Sequence, residues 1–140
     1  MEYYFAPMEG ITGAEYRAVH HRHFPGVDRY YMPFITPTQD RVFTPRELRN
    51  ISPERNAGYR AVPQLLTKNA GDFNWAAGEL FAMGYDEVNL NLGCPSGTVT
   101  AKGKCAGMLA DLEGLDRFLD GIFSAARGKI SVKTRLGLRD

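Results

Sequence analysis

Short apolar stretches alternate along this chain with stretches of helical periodicity, and that alternation limits the fold more than any other feature. Tyr3 to Met8 reads as a first strand. Thr12-Gly-Ala-Glu15 has the form of a capping box and predicts a helix from about Gly13 to Phe24, stopped by Pro25-Gly26. Arg29 to Ile35 reads as strand two, with Pro33 near its end. Thr44-Pro-Arg-Glu47 is a second capping box, with proline at the first helical position, and predicts a short helix to about Ile51. Tyr59 to Leu66 is strand three. Asn69 or Asp72 can cap the next helix, whose Phe73, Ala77, Leu80 and Phe81 share one face before Gly84 ends it. Glu87 to Leu92 is strand four, and a long loop runs from Gly93 to Met108. Asp111 caps a helix with Leu115, Phe118, Leu119, Ile122 and Ala126 on one face, ended by Gly128. Ile130 to Arg135 is strand five.

Strands that alternate with helices predict a parallel sheet. The first turn lacks Gly-x-Gly-x-x-Gly, which disfavours a dinucleotide-binding sheet. Polar residues gather instead at the ends of several strands: Met8/Glu9, Gln64, Asn91/Cys94 and Lys133/Arg135. A (β/α)₈ barrel builds its site in that way, from every strand, but needs roughly 250 residues and eight strands. The expectation is therefore an α/β chain with about five parallel strands, forming over residues 1–140 the N-terminal part of a TIM barrel.

The most informative stretch is Asn89-Leu-Asn-Leu-Gly-Cys-Pro-Ser96. A strand ends, the chain turns at Gly93, and Cys94 is presented at the strand's C-terminal mouth, where α/β folds bind ligands. Pro95 restricts Cys94 to extended conformations and stiffens the loop. A free cysteine is often simply buried; one inside a Gly-Pro turn after a strand is less easily read as core.

Composition excludes several classes. The net charge of +1 advertises no bulk attraction to nucleic acid, so any RNA contact must be a local patch. No apolar run reaches membrane-spanning length, and the N-terminus lacks the basic and apolar regions of a signal peptide. Two cysteines without an export signal predict a cytoplasmic protein with Cys94 and Cys105 reduced. His20, His21 and His23 fall late on a helix, where cationic imidazole suits the helix dipole. They have no carboxylate or cysteine at ligand spacing, so no metal is expected.

Four motifs, each at a strand end, carry a resemblance: Ala6-Pro-Met-Glu-Gly-Ile-Thr12, Pro63-Gln-Leu65, Asn91-Leu-Gly-Cys-Pro95 and Val132-Lys-Thr-Arg135. In order and position the chain resembles the tRNA-dihydrouridine synthases from Tyr3 onward. The resemblance implies a barrel that holds flavin mononucleotide (FMN), draws electrons from NADPH and reduces uridine in tRNA to 5,6-dihydrouridine. It implies that Pro7, Met8 and Glu9 lie along the flavin, that Gln64 hydrogen-bonds its ring, and that Lys133 reaches its N1/O2 edge. Asn91 and Arg135 would face the uracil, and Cys94 would be the proton donor. An ordinary thiol, with a pKa of about 8.5, is mostly protonated near neutral pH and suits that role. Cys105 stands where the family often has glycine or a small residue, and no catalytic role is carried to it. The resemblance also implies remaining strands, a flavin phosphate site and a helical RNA-binding domain beyond residue 140.

Blander readings stand beside these. Gln64 can be an ordinary strand-end amide, and Lys133 and Arg135 can line a solvated face. Lys102 and Lys104 most simply mark a solvated loop, although in an RNA enzyme they could meet phosphate. Tyr30, Tyr31 and Phe34 are most simply strand core. Alternative functions are a flavin enzyme on free pyrimidines, resembling dihydroorotate or dihydropyrimidine dehydrogenases; a lyase using Lys133 as Schiff-base amine; and a truncated, non-enzymatic barrel with open strand edges.

Overall fold

The computed structural model describes residues 1–94, 96, 103 and 105–136, and within them strands and helices alternate. β1 (Tyr4–Phe5), β2 (Arg29–Tyr31) and β3 (Ala61–Val62) form one three-stranded parallel sheet in that order. β4 (Gln64–Leu65), β5 (Glu87–Asn91) and β6 (Lys129–Lys133) form a second. Between them run α1 (Ala14–His23), α2 (Pro45–Ile51), α3 (Ala70–Ala82) and α4 (Leu112–Phe123), with 3₁₀ turns at Glu54–Asn56 and Cys105–Ala110. Lys102, Lys104 and Pro95 lie outside the described residues.

The α/β class and the parallel pairing in sequence order agree with expectation. The strand count does not. The expected single strand from Tyr59 to Leu66 is divided at Pro63, which has no N–H to give to a ladder. The chain before Pro63 pairs with β2, and the chain after it pairs with β5. The Pro63 carbonyl still accepts the Asn89 N–H at 2.8 Å, and a bridge between Ile35 and Leu65 laces the continuation of β2 onto β4. The result among the described residues is six short strands in two sheets, which do not close a barrel. β1 and β2 are likewise shorter than expected, because Pro7 and Pro33 stop their ladders. β6 begins one residue early, at Lys129, and ends at Lys133.

Three of the four expected caps form. The Thr44 hydroxyl accepts from the Glu47 N–H while the Glu47 carboxylate accepts from the Thr44 N–H, a reciprocal capping box. Asn69 caps α3 and Asp111 caps α4 through their side-chain oxygens. Thr12 does not cap α1: Gly13 takes that position without a side-chain bond. The Thr12 hydroxyl instead accepts the Met8 N–H at 2.8 Å, closing the turn that follows β1.

The core lies between the second sheet and the helices that cover it. Phe73, Ala76, Ala77 and Leu80 of α3 and Phe118 and Ile122 of α4 pack on Val88 and Leu90 of β5. Phe81 is only half-buried, and Ala126 lies exposed beyond the end of α4. Gly128 allows the close approach of Phe81, whose ring carbon stands 2.5 Å from where a Cβ would be. Tyr30 is fully buried, while Tyr31 and Phe34 are half-buried. Among the described residues no helix is long and apolar enough to cross a membrane.

Candidate active site at the end of β5

All five residues of β5 are buried, yet only two of them are apolar. Alternate strand residues share a face. Val88 and Leu90 therefore meet the helices, and Glu87, Asn89 and Asn91 line the opposite side. The parallel register sets Lys129, Ser131 and Lys133 of β6 beside them, and Gln64 of β4 beside Asn89. Buried polar groups without partners cost roughly 1–3 kcal/mol each, so this face can exist only as a connected network.

The lowest rung is ionic. The Glu87 carboxylate, fully buried, lies 3.1 Å from Arg29, 3.2 Å from Lys129 and 3.5 Å from Arg60. Burial would raise its pKa; hydrogen bonds from Ser131 and Lys129, with the charges of Lys129 and Arg29, outweigh that and hold it below the usual carboxylate value. The middle rung is neutral. Gln64 Nε2 donates to Asn89 Oδ1 at 2.8 Å, and Asn89 Nδ2 donates to Ser131 Oγ at 2.9 Å.

The top rung reaches the mouth. Asn91 Nδ2 donates to Gln64 Oε1 at 2.9 Å. Asn91 Oδ1 accepts twice, from the Gly93 N–H and from the Cys105 thiol, each at 3.1 Å. The Cys94 N–H in turn donates to Cys105 Sγ at 2.7 Å. Cys94 itself is half-buried and Cys105 fully buried, with burial pushing the Cys105 thiol's pKa up. Lys133 is exposed and crosses the loop, its Nζ 3.5 Å from where a Cβ on Gly93 would stand. Beside this face, between β1–β2 and β5–β6, opens a cavity of about 380 Å³.

Of the residues singled out in the sequence, the structure thus brings together Gln64, Asn91, Cys94 and Lys133. Arg135 is exposed just past β6. Pro7, half-buried, and Met8 and Glu9, exposed, stand at the end of β1 in the other sheet. Gln64 is closed off completely, its amide spent on Asn89 and Asn91. Sequence reasoning passed over Glu87, Asn89, Ser131 and Cys105. A signal for two of them was present: Glu87-Val-Asn-Leu-Asn91 places a polar residue at every second position of a strand expected to be buried on both faces. Among the described residues no three His, Cys, Asp or Glu side chains converge as metal ligands, and His20 is bonded through Nδ1 to the Tyr30 hydroxyl at 2.9 Å.

Residues 4–140 match the family described as dihydrouridine synthase (Dus). The chain belongs to the dihydrouridine synthase family. It is also similar to a protein of Synechocystis sp. (strain ATCC 27184 / PCC 6803 / Kazusa) named probable tRNA-dihydrouridine synthase 1, at 26% identity over 136 residues. That similarity covers 96% of this chain but 37% of the relative, so the chain spans little more than a third of that protein's length.

Proposed function

We propose that this chain supplies the reducing half of the site in an FMN- and NADPH-dependent enzyme that converts uridine in tRNA to 5,6-dihydrouridine, with Cys94 as the general acid. The observation that carries the reading is the cluster at the mouth of β5, where Cys94, Asn91 and Lys133 meet in a chain that matches the family from residue 4 onward. The rest of a TIM barrel, and an RNA-binding domain, would complete the protein.

The donor set fits a flavin in part. The exposed Lys133 ammonium suits the pole of the ring that becomes anionic, and the turn at half-buried Pro7 and exposed Met8 and Glu9 offers backbone at the end of β1. Gln64 fits less directly: its side chain is covered, and it serves the site by fixing Asn91. A reduced flavin bound there would supply the hydride for one carbon of the uracil double bond. Cys94 then delivers its thiol proton to the neighbouring carbon and, being half-exposed, regains one from solvent. Among the described residues Asn91 uses both lone pairs of Oδ1 and one hydrogen of Nδ2, so its other N–H is the group it would offer a uracil carbonyl. Arg135, on the exposed segment after β6, would meet the nucleotide from outside.

The test is to incubate the purified protein with FMN, NADPH and unmodified tRNA and to count dihydrouridine by mass spectrometry, with free uridine and uracil in parallel. Dihydrouridine in tRNA alone supports the proposal. Turnover of the free pyrimidines instead would replace it with the small-molecule reading.

A further inference from the structure

Cys105 adopts φ +53°, a left-handed conformation that side chains other than glycine rarely take. Its side chain is also fully buried. Packing explains a buried small residue, but not one held at a backbone angle where glycine would be unstrained. What glycine would lack is the thiol, which bridges two parts of the site at once. Cys105 Sγ accepts the Cys94 N–H at 2.7 Å and donates to Asn91 Oδ1 at 3.1 Å. A strained residue that makes such a bridge marks a place where geometry serves function.

The bridge is one link of a longer chain in which every donor points the same way. Cys94 N–H gives to Cys105, Cys105 to Asn91, Asn91 to Gln64, Gln64 to Asn89 and Asn89 to Ser131. The chain ends at the Ser131 hydroxyl, the next position on that face of β6 after Lys129, the ladder partner of Glu87. Hydrogen bonds aligned in series polarise and strengthen one another. The loop bearing Cys94 is thereby moored to the buried interior of the second sheet through the Cys105 sulfur, beside the direct bond from the Gly93 N–H to Asn91.

We propose that Cys105 is a positioning residue for the Cys94 loop: its thiol, acting as acceptor and donor together, fixes the Cys94 backbone against Asn91. The inference rests on the reading of Cys94 as the acid, and its test separates the two. Three variants of the FMN-loaded protein are compared: Cys105→Ser, which can accept and donate; Cys105→Ala, which can do neither and stays strained; and Cys105→Gly, which can do neither but relieves the strain. The first readout is the rate at which iodoacetamide alkylates Cys94, followed by mass spectrometry across pH, which needs no turnover. The second is single-turnover reoxidation of the reduced protein by tRNA. The third is the melting temperature.

The Ala and Gly variants are expected to change the Cys94 alkylation rate at least about fivefold and to slow reoxidation by about 10- to 100-fold, the scale of a misplaced catalytic group. Ser should stay near the unmutated protein in both, and Gly should melt no lower than Ala. Unchanged Cys94 alkylation in Ala and Gly would overturn the inference, as would a Ser variant no better than Ala. If Cys94→Ala reoxidises at the full rate, the reading of Cys94 as the acid fails, while the alkylation series still decides the role of Cys105.

Discussion

Gln64 and Asn91, 27 residues apart in the chain, face each other across β4 and β5 through a 2.9 Å hydrogen bond, both of them buried. That contact joins the inside of the second sheet to its mouth. Gln64 also holds Asn89, so a single amide orders two strands' worth of polar side chains. Replacing it with methionine keeps the volume and strands both partners. The expected cost is roughly 2–4 kcal/mol, one desolvation penalty for each orphaned amide, read as a lower urea midpoint at unchanged slope. A loss under about 0.5 kcal/mol would mean that the two asparagines find other partners.

Glu87 makes the stability of the fold depend on acid. Its folded-state pKa is depressed, so its contribution is fully present above the unfolded value of about 4.3 and is lost as pH falls through the lower folded value. Glu87→Gln should cost roughly 1–3 kcal/mol near pH 7, because the charge-assisted contacts of the buried carboxylate to Arg29, Arg60 and Lys129 are lost, while Arg60 and Lys129 stay open to solvent. The gap in melting temperature between the two proteins should close as pH drops below about 4. A gap that is constant from pH 7 to pH 3 would show that the carboxylate's charge is not what holds Arg29, Arg60 and Lys129 around it.

Much of this fold was legible because local signals and packing agree. Thr44 and Glu47 form the box that their spacing announces, with nothing competing for either side chain. Thr12 and Glu15 have the same spacing and do not. The Thr12 hydroxyl is taken by the turn at Met8, and Glu15 is taken by an ion pair with Arg55. Spacing alone does not reveal such tertiary competitors. Pro63 was visible, but its effect depends on which neighbour each half of the strand finds. At the site, Asn91 and Cys94 stood out because they flank a glycine turn. Cys105 did not, since its role depends on a left-handed backbone and on two partners more than ten residues away.

Lys133 is the group most open to solvent in the cluster, and its proposed effect is electrostatic. Lys133→Met keeps most of the side chain and removes the charge. The flavin potential of the loaded protein should fall by on the order of 20 mV, the two-electron equivalent of an exposed charge contact worth about 1 kcal/mol. Reduction by NADPH should slow in step, while melting is unaffected. Spectroelectrochemical titration measures the first and stopped-flow bleaching the second. An unchanged potential would return Lys133 to the solvated face of an edge strand.

Cys94→Ala separates proton delivery from electron entry. The substitution removes the thiol but leaves the backbone N–H that Cys105 accepts, so the loop should keep its mooring. Flavin binding and bleaching by NADPH should therefore stay within about twofold of the unmutated protein. Reoxidation by unmodified tRNA should fall by about 10² to 10⁴, the usual worth of a positioned general acid. Bromination at the 5-position of the target uridine would test the same step from the substrate side, since the thiolate left after proton delivery can attack that carbon and displace bromide, forming a thioether. A covalent adduct on Cys94 in the unmutated protein, absent from Cys94→Ala, places the sulfur against the uracil. If Cys94→Ala reoxidises on tRNA at full speed, the proton comes from water or another side chain, and the thiol at the end of β5 is structural.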